Sequence, residues 1–323
     1  MIELASFTNK QCPRLLLVAS NGGHLEQMAR LADASEISPA SVFVTFDSPQ
    51  ARFLIGSRPH IFVPEIGQRD WKGVAAGIVR FRRILEAEDV DGVVSTGAAI
   101  ALPAFIAARL NGIPTLYVES VSRVYGPSLT GRLLDKTRLA GSRWCQHPGW
   151  NHPRWKYKGS VLEAYASQPR PDRAPDRLFV TLGTLRRYPF PALLESVLRT
   201  GIANEQTIWQ LGCTQPRIPL PGSQYDFIST ASFDQFATTS DVVVSHAGVG
   251  SVLRLLSLGI YPILITRRKS RGEQIDDHQT QIGELIAAND LGIVREPEDL
   301  TQSDFYRAAR RCVAPVSKHE DVS

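Results

Sequence analysis

The stretch over residues 241–279 constrains the fold more than any other part of the chain. The run Val242-Val243-Val244 is typical of a short strand buried in a parallel sheet. A glycine-rich segment at residues 247–251 follows it and opens a helix, whose unpaired N–H groups and positive dipole end point at whatever lies beside the loop. This arrangement predicts either a diphosphate-binding loop or an ordinary strand-to-helix turn with glycines for tight packing.

A second predicted helix, beginning near residue 275, carries polar residues on its apolar face. Ile275, Ile282 and Ile286 share one face, and His278 and Gln279 fall three and four residues after Ile275 on that same face. Buried polar side chains need partners. They therefore either satisfy the protein's own backbone or line a binding site.

The two motifs resemble the nucleotide-sugar domain of glycosyltransferase family 28. The matching segments are S-H-A-G-V-G-S and R-R-x-x-x-G-E-x-x-D-D-H-Q, and they are most similar to the small catalytic subunit of two-subunit transferases in dolichol-oligosaccharide and bacterial exopolysaccharide synthesis. The resemblance implies that this region binds a nucleotide sugar. The donor-binding residues that we assign are Gly183, Thr184, His246, Gly248, Gly250, Ser251, Arg254, Arg268, Glu273, His278 and Gln279.

Two positions depart from the family pattern. Arg254 stands where many relatives have a glutamate that binds the ribose, and Gln274 stands where many exopolysaccharide relatives have histidine. A guanidinium can donate to phosphate but has no acceptor for a ribose hydroxyl. We therefore expect Arg254 to bind phosphate and Glu273 to bind the ribose; the alternative is that Glu273 only caps the following helix.

The amino-terminal half opens with a similar element. An apolar strand over residues 14–19 is followed by Ser20-Asn21-Gly22-Gly23-His24 and a helix. Ligands gather at the carboxyl ends of parallel strands, so His24 is our candidate general base; the alternative is a histidine that caps the helix. Strands and helices alternate from there to Val118, which predicts a parallel sheet covered on both faces.

Three ordered segments of this half resemble the membrane-associated acceptor subunit of the same transferases. They are S-N-G-G-H, S-T-G-A-A with A-L-P-A, and E-S-V-S-R with P-S-L-T-G-R, and the resemblance covers about residues 14–160. It implies that the loops face a lipid-linked acceptor. The acceptor-binding residues that we assign are Asn21, Gly22, Gly23, Glu119, Arg123, Ser128 and Arg132.

The chain has 323 residues, of which 43% are apolar and 21% charged, enough for two globular domains. We expect an acceptor domain over residues 1–163, a Pro-rich and charged linker over 164–177, a nucleotide-sugar domain over 178–314 and a loose tail over 315–323. The fold class is α/β of the GT-B type, with two Rossmann-like domains facing across a cleft. The acceptor and donor subunits are then fused in one polypeptide.

Residues 120–160 hold eight basic residues against Asp135 alone, with Trp144, Trp150, Trp155 and Tyr157 among them. This pattern predicts contact with an anionic membrane surface or a pyrophosphate-bearing lipid. It is also compatible with RNA, although we expect no nucleic-acid partner, and with a solvated basic face over core tryptophans.

Scattered cysteines without C-x-x-C, and a start that lacks a long apolar core, indicate a cytoplasmic protein. We expect no metal site, because adjacent helical residues such as Asp276-Asp277-His278 do not share a face. The family resemblance implies an inverting, metal-independent transfer from a UDP-sugar to a polyprenyl-diphosphate-linked saccharide, in exopolysaccharide or cell-surface glycan synthesis at the inner face of the plasma membrane. No cofactor is expected besides that substrate. The alternatives are a nucleotide-sugar 2-epimerase and a non-catalytic partner of another transferase.

Overall fold

The structure is a computed structural model that describes residues 2–67, 70–150, 152–184, 188–268, 271–273 and 278–316. The chain divides into two compact units, Met1–Val161 and Leu162–Ser323. Each unit has its own parallel sheet and its own helices.

The first unit alternates strands and helices. In chain order they are β1 Leu15–Ala19, α1 Gly23–Ala34, β2 Val42–Phe46, α2 Pro49–Ile55, β3 His60–Val63, α3 Trp71–Ala87, β4 Gly92–Gly97, α4 Ala101–Leu110, β5 Thr115–Val118, α5 Leu129–Thr137, β6 Ser142–Cys145 and β7 Lys156–Tyr157. The parallel sheet has the order β3-β2-β1-β4-β5-β6-β7. The order reverses between β1 and β4, so a crevice is expected at the carboxyl ends of those strands.

Burial explains why these segments become strands. All five residues of β1 are buried, because helices cover both faces of the sheet and leave no polar side to the strand. Local capping fixes the helix starts: Ser48 accepts a hydrogen bond from Ala51 N at α2, and Asp70 accepts one from Gly73 N at α3.

The second unit repeats the plan. Its elements are β8 Tyr165–Pro169, β9 Leu178–Thr181, α6 Pro191–Arg199, β10 Ile208–Gln210, β11 Ser223–Tyr225, α7 Thr230–Thr239, β12 Val242–His246, α8 Val249–Ser257, β13 Ile263–Ile265, α9 His278–Ala288, β14 Ile293–Arg295, α10 Gln302–Ala309 and β15 Arg311–Pro315. The parallel sheet has the order β11-β10-β9-β12-β13-β14, and its order reverses between β9 and β12. The α/β fold class of the sequence analysis is therefore confirmed.

The segment expected to be a linker, residues 164–177, is instead packed onto the second unit. Its first part forms β8, which pairs antiparallel with β15. Farther along, Arg170 Nε donates to the carbonyl oxygen of Ala309 at 2.7 Å, and Arg173 pairs with the buried Asp241 at 2.5 Å. Composition could not show this, because the pairing strand lies more than a hundred residues away. The expected tail starts inside β15, and residues 317–323 lie outside the described part of the chain.

Within the described ranges, no helix has both the length and the apolar character needed to cross a membrane.

Candidate active site

His24 lies in the first turn of α1, at the carboxyl end of β1. Its Nδ1 is 2.6 Å from the carbonyl oxygen of Thr96, and Thr96 Oγ1 donates to the His24 carbonyl at 2.8 Å. A carbonyl only accepts, so Nδ1 carries the proton and Nε2 keeps its lone pair. Burial lowers the pKa of His24, and the Arg123 cation lowers it further against the effect of the Thr96 carbonyl. The imidazole is therefore neutral at neutral pH and can accept a proton.

A pocket of about 650 Å³ opens beside this histidine, within the volume range of small-molecule sites. Its lining includes three cations, Arg123, Arg132 and Lys136. Two exposed apolar side chains, Trp71 at 65% and Leu129 at 72% exposure, also line it. The pocket thus combines a neutral base, positive charge and an apolar rim, which suits an anionic lipid-linked ligand.

Gly97 is a glycine because the space beside the His24 imidazole is tight. Its φ is +110°, and a Cβ there would lie 2.9 Å from Cε1 of His24 and 3.2 Å from the hydroxyl oxygen of Tyr117. A side chain at this position would displace the imidazole.

Glu119 is fully buried in the pocket wall. Its carboxylate accepts from Ser128 N and Ser128 Oγ, both at 2.9 Å, and from Ser120 N at 3.1 Å. Burial raises the pKa of Glu119, although the Ser128 and Ser120 donors oppose that shift. Ser128 Oγ also accepts from Gly131 N and caps α5. Glu119 and Ser128 thus hold the wall in shape, and their contact with an acceptor stays a prediction.

The structure brings together most of the residues assigned to the acceptor. His24, Glu119, Arg123, Ser128 and Arg132 all line the pocket. Asn21, Gly22 and Gly23, in the loop before α1, are not among the residues that line it.

Asn21 Oδ1 accepts from Thr45 Oγ1 at 3.1 Å, and Gly22 N donates to Gln50 Oε1 at 3.0 Å. Gly22 has φ +80° and Gly23 begins α1. These residues place His24, and their direct contact with a ligand stays a prediction.

Sequence reasoning did not assign the lining residues Asp70, Trp71 and Tyr117 to the site, and it placed Lys136 only in the basic segment 120–160. One signal was available, since Trp71 is a large apolar residue beside Lys72 at the start of a predicted amphipathic helix. The others come from separate elements that only the fold brings together.

The aromatic part of the surface expected over residues 120–160 is largely buried, whereas basic side chains such as Arg138, Lys156 and Lys158 are exposed. Trp144 and Trp155 are 3% and 4% exposed and belong to the core. Arg143 and Arg154 pair with Asp135, at 3.2 and 2.7 Å. The alternative of a solvated basic face over core tryptophans describes this segment better, because burial of a large indole ring lowers the free energy of the folded protein.

In the second unit, His246 ends β12 and its imidazole packs against two glycines. A Cβ on Gly183 would lie 2.6 Å from Cε1 of His246, and a Cβ on Gly248 would lie 2.4 Å from Nε2. Burial lowers the pKa of His246 to about 3, with the neighbouring Arg267 as a further cause. His246 is therefore neutral.

Gly248 is the N-cap of α8, and Gly250 and Ser251 lie in its first turn. The first N–H groups of a helix have no intrahelical acceptor, and the helix dipole adds positive potential there. This end of the sheet can therefore bind a diphosphate through the backbone.

Arg267, which the sequence analysis did not select, is 1% exposed. It donates to the carbonyl oxygens of Tyr188 and Leu182, both at 2.6 Å, and of Glu273 at 3.1 Å. Its guanidinium lies 4.6 Å from the ring centroid of Phe190. Burial lowers its pKa to about 10, so it stays charged and ties together the loops around β9 and β13. The sequence alone could not show which of the two adjacent arginines, Arg267 or Arg268, is buried.

Arg268 and Glu273 already have partners within the second unit. Arg268 Nε lies 3.0 Å from both carboxylate oxygens of Glu296. Glu273 is 4% exposed and accepts from Arg268 N and Arg271 Nε, both at 3.0 Å. Burial tends to raise the pKa of Glu296, but the hydrogen bonds from Arg268, Thr266 and Arg271 and the Arg268 charge together lower it. The donor-binding roles of Arg268 and Glu273 stay predictions.

Arg254 is held by Asp234. Its Nε donates to Oδ1 of Asp234 at 2.8 Å, and a second bond joins Nη2 to Oδ2. A phosphate would have to compete with this bidentate carboxylate. The proposed contact of Arg254 with phosphate therefore carries a cost that the sequence did not reveal.

Three more assigned residues belong to this unit. Gln279 is 6% exposed, and its Oε1 has no hydrogen-bond partner among the described residues. Thr184 is exposed at the end of the β9 loop. The side chain of His278, and the departure at Gln274, lie outside the described residues. No cluster of three His, Cys, Asp or Glu side chains suited to a metal occurs within the described ranges.

Comparison with known proteins agrees with this geometry. Residues 205–303 match the glycosyltransferase family 28 C-terminal domain. The chain is 26% identical over 321 residues to a UDP-N-acetylglucosamine--N-acetylmuramyl-(pentapeptide) pyrophosphoryl-undecaprenol N-acetylglucosamine transferase of Synechococcus sp. (strain CC9311), covering 90% of this chain and 86% of that protein.

Two solved structures share the fold. MurG of Acinetobacter baumannii superimposes with a TM-score of 0.56 at 17% identity, over 91% of this chain and 89% of that one. UDP-GlcNAc 2-epimerase from Neisseria meningitidis, bound to UDP-GlcNAc, gives 0.54 at 12% identity, over 91% and 97%. The family match, the relative in sequence and the GT-B fold lead to one conclusion: the chain is a glycosyltransferase family 28-like enzyme of the hexosyltransferase type.

Proposed function

We propose that this enzyme transfers a sugar from a UDP-sugar to a hydroxyl of a polyprenyl-diphosphate-linked saccharide. The observation that carries the proposal is the first-unit pocket, where neutral His24 lies beside three cations and an apolar rim. UDP-N-acetylglucosamine is the first donor to test, because the relative in Synechococcus is named for it. Exopolysaccharide or cell-surface glycan synthesis is the proposed context.

The chemistry starts at Nε2 of His24. An acceptor hydroxyl donates a hydrogen bond to this lone pair and loses its proton to it as the oxygen attacks the anomeric carbon of the donor sugar. The bond between that carbon and the diphosphate oxygen breaks, which inverts the anomeric centre. The Thr96 carbonyl, already bound to Nδ1, stabilises the imidazolium that forms.

The departing diphosphate needs stabilisation in the second unit. The first-turn N–H groups of α8, beyond Gly248, supply it through the backbone, without an obligatory metal. Arg267 donates to carbonyl oxygens of the loops around this helix start, and His246 packs against Gly183 and Gly248, so both side chains shape these loops.

The proposed membrane surface combines α3 with the pocket rim, to which residues 120–160 contribute Leu129, Arg132 and Lys136. On the outer face of α3, Lys72, Arg80 and Arg83 are exposed, and Trp71 and Val79 are 65% and 54% exposed. Each basic residue near an anionic bilayer contributes about 1 kcal/mol, and an interfacial tryptophan adds apolar contact. The enzyme is then peripheral at the cytoplasmic face, where a lipid-linked acceptor can enter the pocket directly.

A nucleotide-sugar 2-epimerase is the second candidate, favoured by the fold it shares with the epimerase from Neisseria meningitidis. An epimerase acts on a soluble nucleotide sugar and has no use for a cationic pocket with an apolar rim. The relative in Synechococcus, whose match covers 90% of this chain, is named as a transferase.

Incubation of the purified protein with labelled UDP-sugars separates the candidates. With a polyprenyl-diphosphate saccharide present, the proposed function gives label in the lipid fraction together with free UDP. Epimerised nucleotide sugar without acceptor supports the second candidate. Label that stays in unchanged UDP-sugar, across several donors and acceptors, contradicts both and supports a non-catalytic partner.

A further inference from the structure

Gln27 is a buried glutamine one turn after His24 in α1, and it uses every hydrogen bond that it can make. It is 1% exposed. Its Nε2 donates to the Gly23 carbonyl and to Ser120 Oγ, both at 3.1 Å. Its Oε1 accepts from Val121 N at 2.8 Å and from Gln146 Nε2 at 3.0 Å. A glutamine with four partners is fixed in one orientation.

These hydrogen bonds connect α1, the segment after β5 and the segment after β6. Gln146, which follows β6, donates to the Glu119 carbonyl at 2.9 Å, and its own Oε1 accepts from Val161 N at 3.0 Å. Ser120 Oγ lies 3.1 Å from Ser122 Oγ. The start of α1 is thereby joined to the segment after β5, which carries the pocket residues 119, 120, 122 and 123.

The start of α1 has a second attachment on its other side. His24 and Thr96 exchange two hydrogen bonds, which tie the helix start to the end of β4. Thr96 alone fixes the ring but not its distance from the Ser120–Arg123 segment. Gln27 fixes that distance, because its side chain reaches from α1 to Ser120 Oγ and Val121 N of this segment.

We propose that Gln27 is a positioning residue, which sets the His24 imidazole against the Ser120–Arg123 segment where the acceptor binds. This role in transfer rests on the proposed function; the effect on His24 itself does not. Without the Gln27 bonds the segment withdraws, water reaches the imidazole, and Arg123 moves away from it.

The test combines a titration of His24 with transfer kinetics in Gln27→Met. Methionine has similar length and adapts to its surroundings, but it makes none of the four bonds. ¹⁵N-histidine NMR follows His24, assigned by its loss in His24→Gln. Since both burial and Arg123 lower the pKa of His24 in the native protein, we expect that pKa to rise toward 6.5 in Gln27→Met. We also expect kcat to fall about ten- to a hundredfold with an unchanged KM for the UDP-sugar.

Thr115→Val is the matched control. Thr115 is 5% exposed at the amino end of β5, away from the pocket, and its Oγ1 bonds to the Leu139 carbonyl at 3.1 Å and to Gly141 N at 2.8 Å. This variant loses buried hydrogen bonds and some stability, yet it should keep the native His24 titration and kcat.

If Gln27→Met does not fold, Ser120→Ala tests the positioning role instead. It removes only one of the four hydrogen bonds of Gln27. A smaller rise in the His24 pKa supports the proposal, and an unchanged pKa overturns it. Gln27→Met that melts earlier but keeps the native titration and kcat, as Thr115→Val does, also overturns it. If the native protein transfers nothing while Gln27→Met still raises the His24 pKa, the positioning role stands and the transfer function fails.

Discussion

The two units share a doubly wound sheet but use their charged side chains differently. In the first unit, Arg132 and Lys136 are exposed at the pocket, beside a histidine whose Nε2 is unprotonated. In the second unit, Arg254 and Arg268 are both bound to carboxylates. We propose from this difference that the first unit binds its ligand through side chains, whereas the second binds through backbone groups and uses its arginines to hold loops.

The largest effect expected is that of Arg267→Met. It removes the donor of three carbonyl oxygens, those of Leu182, Tyr188 and Glu273, at a cost of about 1–3 kcal/mol for each buried acceptor. We expect a lower urea midpoint for the second unit and loss of UDP binding. Arg310→Met, which removes an exposed pair with Asp172, should cost about 1 kcal/mol or less. Equal destabilisation by both variants would contradict the role given to Arg267.

Binding to anionic vesicles tests whether the exposed cations of α3 form the proposed membrane surface. The triple variant Lys72→Gln, Arg80→Gln, Arg83→Gln should weaken binding to anionic vesicles at low salt about hundredfold, at roughly 1 kcal/mol for each cation. The matched triple variant Arg138→Gln, Lys156→Gln, Lys158→Gln removes the same charge from exposed positions of the 120–160 segment. A greater loss in the matched variant would return the surface to that segment.

The pH dependence tests the state of His24. A base with a lowered pKa stays unprotonated to lower pH, so the acid limb of kcat/KM for the acceptor should be centred below pH 6.5, the ordinary value of a histidine. Below the pKa each pH unit costs about tenfold in rate. An acid limb centred above pH 6.5 would show that His24 is not the base or is not buried in the working enzyme.

The smallest effect is expected from Arg254→Ala. Because Asp234 already binds its guanidinium, UDP and uridine should both weaken by less than about threefold, while the melting temperature falls modestly. Titration of both ligands by calorimetry measures this. A loss confined to UDP would restore Arg254 as a phosphate ligand, as the sequence suggests.

The fold class could be predicted from the sequence because the patterns that specify its strands and helices are local. The apolar runs of β1 and β12, and the glycines before α1 and α8, lie within a few residues of the elements they specify. His24 was found for the same reason, since its place at a strand's end follows from neighbouring residues alone.

The remaining features depend on residues far apart in the chain. The pairing of β8 with β15 turns an apparent linker into a strand. Whether Trp144 and Trp155 face the core or solvent depends on the burial that neighbouring elements provide. Arg267 and Arg268 are adjacent and identical in type, yet Arg267 is buried because carbonyl oxygens of distant loops accept its hydrogen bonds.

The central claim is that the first unit supplies the base and the second holds the donor. Rapid-quench single turnover with pre-bound, labelled UDP-N-acetylglucosamine tests it most directly in the native protein and in His24→Gln. The account predicts label in the polyprenyl-linked product, a rate about 10²–10⁴-fold lower in His24→Gln, and the same Kd for UDP in both. Transfer at the native rate by His24→Gln, or a large loss of UDP affinity that explains its slow turnover, would contradict it.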